Sequence, residues 1–168
     1  LYDDVTAHGG RAIMWKAGHS PVRQKMKDEA ALLAGEMTGH IFFKERYFGY
    51  DDAIYAGARL LEILSKTDRR VEDLLTGVPP MATTPEIRVD CPDDRKFAVV
   101  DAITEEFRKT YDVIDIDGSR VRLDGGWGLI RASNTQPALV LRFEATGRQR
   151  LEDIRRLFMD KLEKRVRF

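Results

Sequence analysis

Between Thr76 and Pro85 three prolines, Pro79, Pro80 and Pro85, stand with Gly77 among threonines, and no apolar periodicity survives across them. Proline fixes φ and donates no backbone hydrogen bond, so neither a helix nor a central strand can run through such a stretch. The chain is therefore expected to fold as two pieces, residues 1–75 and 86–168, joined by a linker over 76–85. With 168 residues and 43% hydrophobic content, each piece can bury a core of its own.

The two pieces obey different patterns. In the first, Leu1 to Ala7 predict the last turns of a helix stopped by Gly9-Gly10, and Ala12 to Lys16 a short strand. Ser20-Pro21 predicts a helix start, with Ser as N-cap and the helix running to about Glu29. Leu32 to Ala34 and Ile41 to Glu45 read as strands, and Asp51-Asp52 as the start of a helix rather than a metal site. In that helix Ile54, Ala58, Leu61 and Leu64 recur at helical spacing. Alternating strands and helices predict a layered α/β unit. After Pro85 the order is a strand over Glu86 to Cys91, a helix over Lys96 to Lys109, four strands and a closing helix over about Arg148 to Lys164. The first helix shows Phe97, Val100, Ile103 and Phe107 on one face, and Asp117-Gly118 marks a hairpin between the first two of the four strands. This is an α+β pattern. Trp15 and Trp127 are read as core residues.

Charge narrows the partners. Lysine and arginine total 28 and aspartate and glutamate 28, so the chain lacks the basic excess that releases counterions from a duplex, and nucleic acid is disfavoured. The basic run from Lys161 to Arg167 reads as the solvated face of the last helix. No apolar stretch approaches the roughly 18 residues of a membrane span. Cys91 is the single cysteine, which excludes an intrachain disulfide, fits a cytoplasmic location and reads as a half-buried strand residue. The chain opens at Leu1 without a methionine or a signal-like segment, and is expected to be the interior of a larger protein.

Two segments carry chemistry. Gly35-Glu36-Met37-Thr38-Gly39-His40 puts a carboxylate, a hydroxyl and an imidazole between two strands. In extended chain Glu36, Thr38 and His40 share one side, and a carboxylate can accept from two adjacent sugar hydroxyls at once. The same residues also make an ordinary polar turn, and spacing alone does not choose. Arg131-Ala132-Ser133-Asn134-Thr135-Gln136-Pro137 offers a guanidinium fork with hydroxyls and amides in a turn. It reads equally as a phosphate cradle or as a strand connection. Together they suit a sugar phosphate. Lys16-Ala17-Gly18-His19 precedes a helix N-terminus, where an anion is favoured, although a capping turn with solvated Lys and His fits as well.

Taken in order, with Trp15-Lys16-Ala17-Gly18-His19-Ser20 before them and Gly126-Trp127-Gly128-Leu129-Ile130 leading into Arg131, these motifs resemble the C-terminal part of an α-D-phosphohexomutase. The similarity is greatest to the bacterial phosphomannomutase/phosphoglucomutase branch and extends over essentially the whole chain. It implies part of a third, sugar-binding domain over 1–75 and a fourth, phosphate-binding domain over 86–168. The expected folds are a truncated layered α/β unit and a TATA-binding-protein-like unit with a four-stranded antiparallel sheet and two helices. By resemblance Glu36, Thr38 and His40 contact sugar hydroxyls; Lys16, Gly18 and His19 line the cleft; Arg131, Ser133, Asn134 and Thr135 hold phosphate. His40 is also a candidate general acid or base. The family usually has serine where Thr38 stands.

The implied reaction interconverts hexose 1-phosphate and 6-phosphate, of glucose or mannose, through a bisphosphorylated sugar. It uses Mg2+ and a phosphoserine, with glucose 1,6-bisphosphate as activator. The chain has no Thr-Ala-Ser-His-like nucleophile loop and no Asp-Gly-Asp metal loop. The expectation is a fragment that supplies two binding loops, binds no metal, is inactive alone and self-associates for want of its N-terminal domains. Alternatives are a phosphoglucosamine mutase, against which Met37 and Asn134 argue because those relatives tend to have Gln and Gly there, or a non-catalytic sugar-phosphate-binding or structural fragment.

Overall fold

The computed structural model describes residues 1–166, so the end of the basic run, at Arg167, lies outside them. The chain forms two compact units, Leu1–Gly77 and Val78–Phe168.

In the first unit, α1 (Tyr2–Ala7) ends as its glycines predict. Gly9 takes φ 79° and its N–H reaches the Thr6 carbonyl, while Gly10 N–H reaches that of Val5. Ala12 to Lys16 are not a strand: no described segment pairs with them, and a strand exists only in a ladder. Helix α2 (His19–Asp28) starts one residue before the expected Ser20 cap. Gly18, at φ 116°, is the N-cap and no side chain caps the turn. Strands β1 (Leu33–Gly35) and β2 (Ile41–Phe43) form an antiparallel hairpin in which Gly35 faces Ile41. Phe42 is fully buried against Val22 and Met26 of α2.

Helix α3 (Ala53–Leu64) is capped by Asp52, whose carboxylate accepts from Tyr55 N–H at 2.9 Å. Its orientation reverses the usual amphipathic rule. Tyr55 and Arg59 lie against Phe43 of β2, and Arg59 and Glu62 are ion-paired with Glu45 and Arg46. The apolar stripe is left open, with Ile54 88% and Leu61 66% exposed.

The second unit is built on β8 (Ala138–Ala145), the longest strand. On one side it pairs with β7 (Gly126–Ala132), and the sheet continues through β6 (Ser119–Leu123) to β5 (Asp112–Ile114). These are the four strands expected between the helices. The other edge of β8 carries two more, end to end: β4 (Ile87–Asp90) against residues 138–141 and β3 (Ala82–Thr83) against 144–145. The expected linker thus contains a strand, because eight residues of β8 leave an edge that β4 alone does not cover. Helices α4 (Lys96–Arg108) and α5 (Arg148–Glu163) pack on one face. Ile103 and Phe107 of α4 and Ile154, Phe158 and Leu162 of α5 bury against Val121, Ile130, Leu139, Leu141 and Phe143. Phe97 is not on that face: it is exposed, and buried Val99 and Lys96 stand in the helix instead. Neither tryptophan is core. Trp15 is exposed under the Lys25 ammonium, and Trp127 is half-buried beneath the Arg120 guanidinium, 3.7 Å from its ring centroid. Cys91, just past β4, is buried, which pushes its thiol up. Among the described residues no helix is long and apolar enough to cross a membrane.

Candidate functional site

The segment from Glu36 to His40 is the loop of the β1–β2 hairpin, not extended chain. Glu36 N–H donates to the His40 carbonyl at 2.9 Å and Gly39 N–H to the Glu36 carbonyl at 3.0 Å, so the loop closes on itself. Gly39 takes φ 94°, which favours glycine there. The shared side expected for Glu36, Thr38 and His40 therefore does not arise from strand alternation. A tight turn presents them, with Thr38 and Met37 exposed at its tip.

Glu36 is anchored. Its Oε1 accepts the Gly18 N–H at 2.7 Å, at the N-terminus of α2. The anion expected at that helix end is thus this carboxylate, and the contact brings Gly18 and Glu36 together. His19, the first residue of α2, lays its ring 5.3 Å from that of Phe42. Lys16 is exposed on the preceding segment. His40 has a partner that sequence reading missed. Its Nδ1 lies 2.6 Å from Asp51 Oδ2, while Asp51 Oδ1 accepts the Ile41 N–H at 3.1 Å. The His40 hydrogen bond is the main reason Asp51 is held below the usual carboxylate range, helped by the Ile41 amide and against the cost of burial. The available signal was the doubled Asp51-Asp52: one side chain suffices to cap α3, so the other is free for different work.

In the second unit, Arg131 lies near the end of β7 and Ser133 opens the loop to β8. The Ser133 side chain is turned inward. It is 5% exposed, and its Oγ accepts from Thr135 N–H at 3.3 Å and Gln136 N–H at 3.2 Å. The loop is tied down from outside as well. Cys91 N–H donates to the Pro137 carbonyl, the Lys96 ammonium to the Gln136 carbonyl at 3.0 Å, and Arg88 to the Gln136 side chain. Lys96 is itself buried and ion-paired to Asp93 at 2.6 Å. Among the described residues no ion pair or hydrogen bond engages the Arg131 side chain, so its guanidinium fork is unoccupied by protein. Asn134 also lines a cavity of about 210 Å3 beside α4, but Asp101, Glu105 and Asp115 make its wall acidic and unsuited to phosphate. Among the described residues no group of three or more His, Cys, Asp or Glu side chains is placed to hold a metal ion.

Each unit thus presents one loop with polar groups fixed from behind. Sequence comparison gives both a family. The description "Phosphoglucomutase/phosphomannomutase, alpha/beta/alpha domain III" matches residues 1–81, and "Phosphoglucomutase/phosphomannomutase, C-terminal domain" matches residues 86–161. The chain is 51% identical over 159 residues to a phosphomannomutase/phosphoglucomutase of Pseudomonas putida, covering 94% of this chain and 34% of that protein. It is 48% identical over 162 residues to a phosphoglucomutase of Neisseria gonorrhoeae, covering 95% of this chain and 35% of the relative. The crystal structure of a phosphoglucomutase/phosphomannomutase family protein from Burkholderia thailandensis superposes with a TM-score of 0.82 at 42% identity, over 95% of this chain and 34% of that one. The chain spans about a third of the length of the curated relatives it matches.

Proposed function

Because the chain belongs to the phosphoglucomutase/phosphomannomutase family, we propose that it is the substrate-holding part of a cytoplasmic mutase that interconverts hexose 1-phosphate and hexose 6-phosphate, of glucose or mannose, through a bisphosphorylated sugar. The Arg131 loop holds the phosphate that is not reacting. The Glu36 loop reads the sugar hydroxyls. Binding energy at the idle phosphate then fixes the other end of the sugar for transfer, which is where positioning accelerates a reaction. Glu36 accepts from hydroxyls with the oxygen lone pairs that Gly18 leaves it, Thr38 adds a hydroxyl at the tip of the turn, and His40 trades a proton with the reacting oxygen. Lys16 supplies positive charge beside the anionic substrate, with His19 next to it at the start of α2. Phosphoryl transfer itself needs a phosphoserine and Mg2+; on this reading both come from elsewhere in the longer protein, since the sequence has neither a Thr-Ala-Ser-His-like nor an Asp-Gly-Asp loop, and the chain alone binds without turning over.

One observation carries the phosphate assignment: the free Arg131 fork at the mouth of a loop whose serine, backbone and flanking cations are already engaged. Amide NMR of the 168-residue chain titrated with inorganic phosphate tests it. The expected result is that Ser133, Thr135 and Asn134 shift first and that Arg131→Ala removes the response, at a cost of about 1.5–3 kcal/mol for a charge-assisted contact. Shifts scattered elsewhere, or unaltered by Arg131→Ala, would end the assignment.

A further inference from the structure

The His40–Asp51 pair lies at the surface, with the His40 side chain 54% exposed, but the backbone fixes both of its groups. His40 is the residue before β2, and the Asp51 backbone bridges to Phe42 within β2, so both groups are fixed to the same strand. Phe42 is fully buried against Val22 and Met26, which anchors that strand in the core of the unit. Each oxygen of Asp51 has one donor: Oδ1 takes the Ile41 N–H and Oδ2 faces His40 Nδ1 at 2.6 Å. An ionised carboxylate can only accept, so Nδ1 must carry the hydrogen. In the neutral ring the lone pair is then on Nε2, pointing away from Asp51.

We propose that Asp51 is a positioning residue that holds His40 in its Nδ1–H form, leaving Nε2 as the atom that takes and returns the proton of the reacting sugar oxygen. The inference rests on the reading of His40 as the proton-transfer group of the sugar loop. A hydrogen bond to one ring nitrogen choosing the chemistry of the other is the second-element logic of acid–base triads and metal-bound histidines. Two further titratable groups face the pair among the described residues: His19 at the start of α2, which acts on Asp51 through its charge, and Glu36 of the same loop, whose Oε1 accepts the Gly18 N–H. Neither supplies an acceptor to Nδ1. As the ring takes its proton at Nε2 it becomes a cation hydrogen-bonded to the Asp51 anion, and returning that proton to the sugar restores the neutral pair, so charge and hydrogen balance with no third group.

Asp51→Asn separates this role from a structural one. Its amide oxygen can keep the Ile41 N–H, and its NH2 then faces Nδ1, which must turn acceptor and shift the ring to the Nε2–H form. Long-range 15N–1H NMR on the 168-residue chain distinguishes the two tautomers, with His8 and His19 assigned by substitution. The expected result is Nδ1–H at His40 in the wild type, Nε2–H in Asp51→Asn, and return toward the wild-type tautomer in Asp51→Glu. In a full-length mutase carrying this chain, kcat of Asp51→Asn falls with KM little changed. A wild-type ring already in the Nε2–H form overturns the proposal whether or not the variant folds, as does an Nδ1–H ring in a folded Asp51→Asn. Unchanged turnover in His40→Asn instead removes the reading on which the proposal rests, and is told apart because the tautomer shift in Asp51→Asn then persists.

Discussion

At the scale of single residues, the candidate site separates by how each polar group is held. Glu36 is fixed by a helix N-terminus, His40 by a carboxylate, and Ser133 by two backbone amides, whereas Thr38 and Arg131 face outward with no such restraint. Glu36→Gln keeps an oxygen for the Gly18 N–H and removes the charge proposed to accept sugar hydroxyls. The expected effect in the full-length enzyme is a ten- to hundredfold loss of kcat/KM for glucose and mannose phosphates alike, about 1.5–3 kcal/mol for hydrogen bonds to a charged group. Inorganic phosphate binding at the Arg131 loop should not change; loss of both would make Glu36 a folding residue instead of a hydroxyl reader. Much of this was legible in sequence, because glycines at 35 and 39 and the proline at 137 mark the turns that expose functional side chains. Asp51 was not legible. Beside Asp52 it looks like half of a helix start, and only the return of the chain past β2 brings it to His40. Ser20 misled for a related reason: a good capping residue is a local preference, and the glycine at 18 with positive φ ended the competition two positions earlier.

Among the elements, the second unit follows its pattern closely because apolar alternation and turn chemistry agree there. Asp117-Gly118 makes the predicted hairpin between β5 and β6, with Gly118 at φ 80°. That glycine does more than turn the chain. A Cβ on it would lie 2.4 Å from the Ile130 carbonyl oxygen and 2.5 Å from the Cβ of Arg131. Gly118→Ala is expected to cost at least about 2 kcal/mol, adding left-handed strain to a clash against a sheet backbone that cannot retreat. Because the displaced residue is Arg131, phosphate affinity should fall with stability. Urea unfolding read beside phosphate titration checks both, and a midpoint equal to wild type would contradict the close approach. What the pattern could not give were β3 and the face of α3. Strand β3 is two residues long among prolines, and its partner lies some sixty residues downstream. In α3 the ion pairs of Arg59 and Glu62 and the ring of Tyr55 hold the helix to β2, so the apolar stripe that marks an inner face in an ordinary helix is the outer one here.

For the whole molecule, the contrast between the units is one of completeness of cover. Val78 onward encloses a continuous core between sheet and helices. Leu1–Gly77 buries little beyond Val22, Met26 and Phe42, and leaves Leu32, Leu33, Ile54 and Leu61 more than half exposed. Exposed apolar surface of this kind lowers its free energy by meeting a second copy. Sedimentation of the 168-residue chain should show association that grows with concentration, whereas residues 78–168 should remain monomeric. A strictly monomeric full chain at high concentration would rule this out.

The inward turn of Ser133 has a further effect. An oxygen already receiving two N–H groups has little left to accept with, so what this hydroxyl can still offer is its hydrogen. Arg131 likewise gives hydrogens and takes none. At Ser133 and Arg131 the loop therefore offers hydrogens, which suits a group made of lone pairs. The Glu36 carboxylate has the opposite sense, since it only accepts. On the proposed reading, inorganic phosphate suits the first surface and sugar hydroxyls the second.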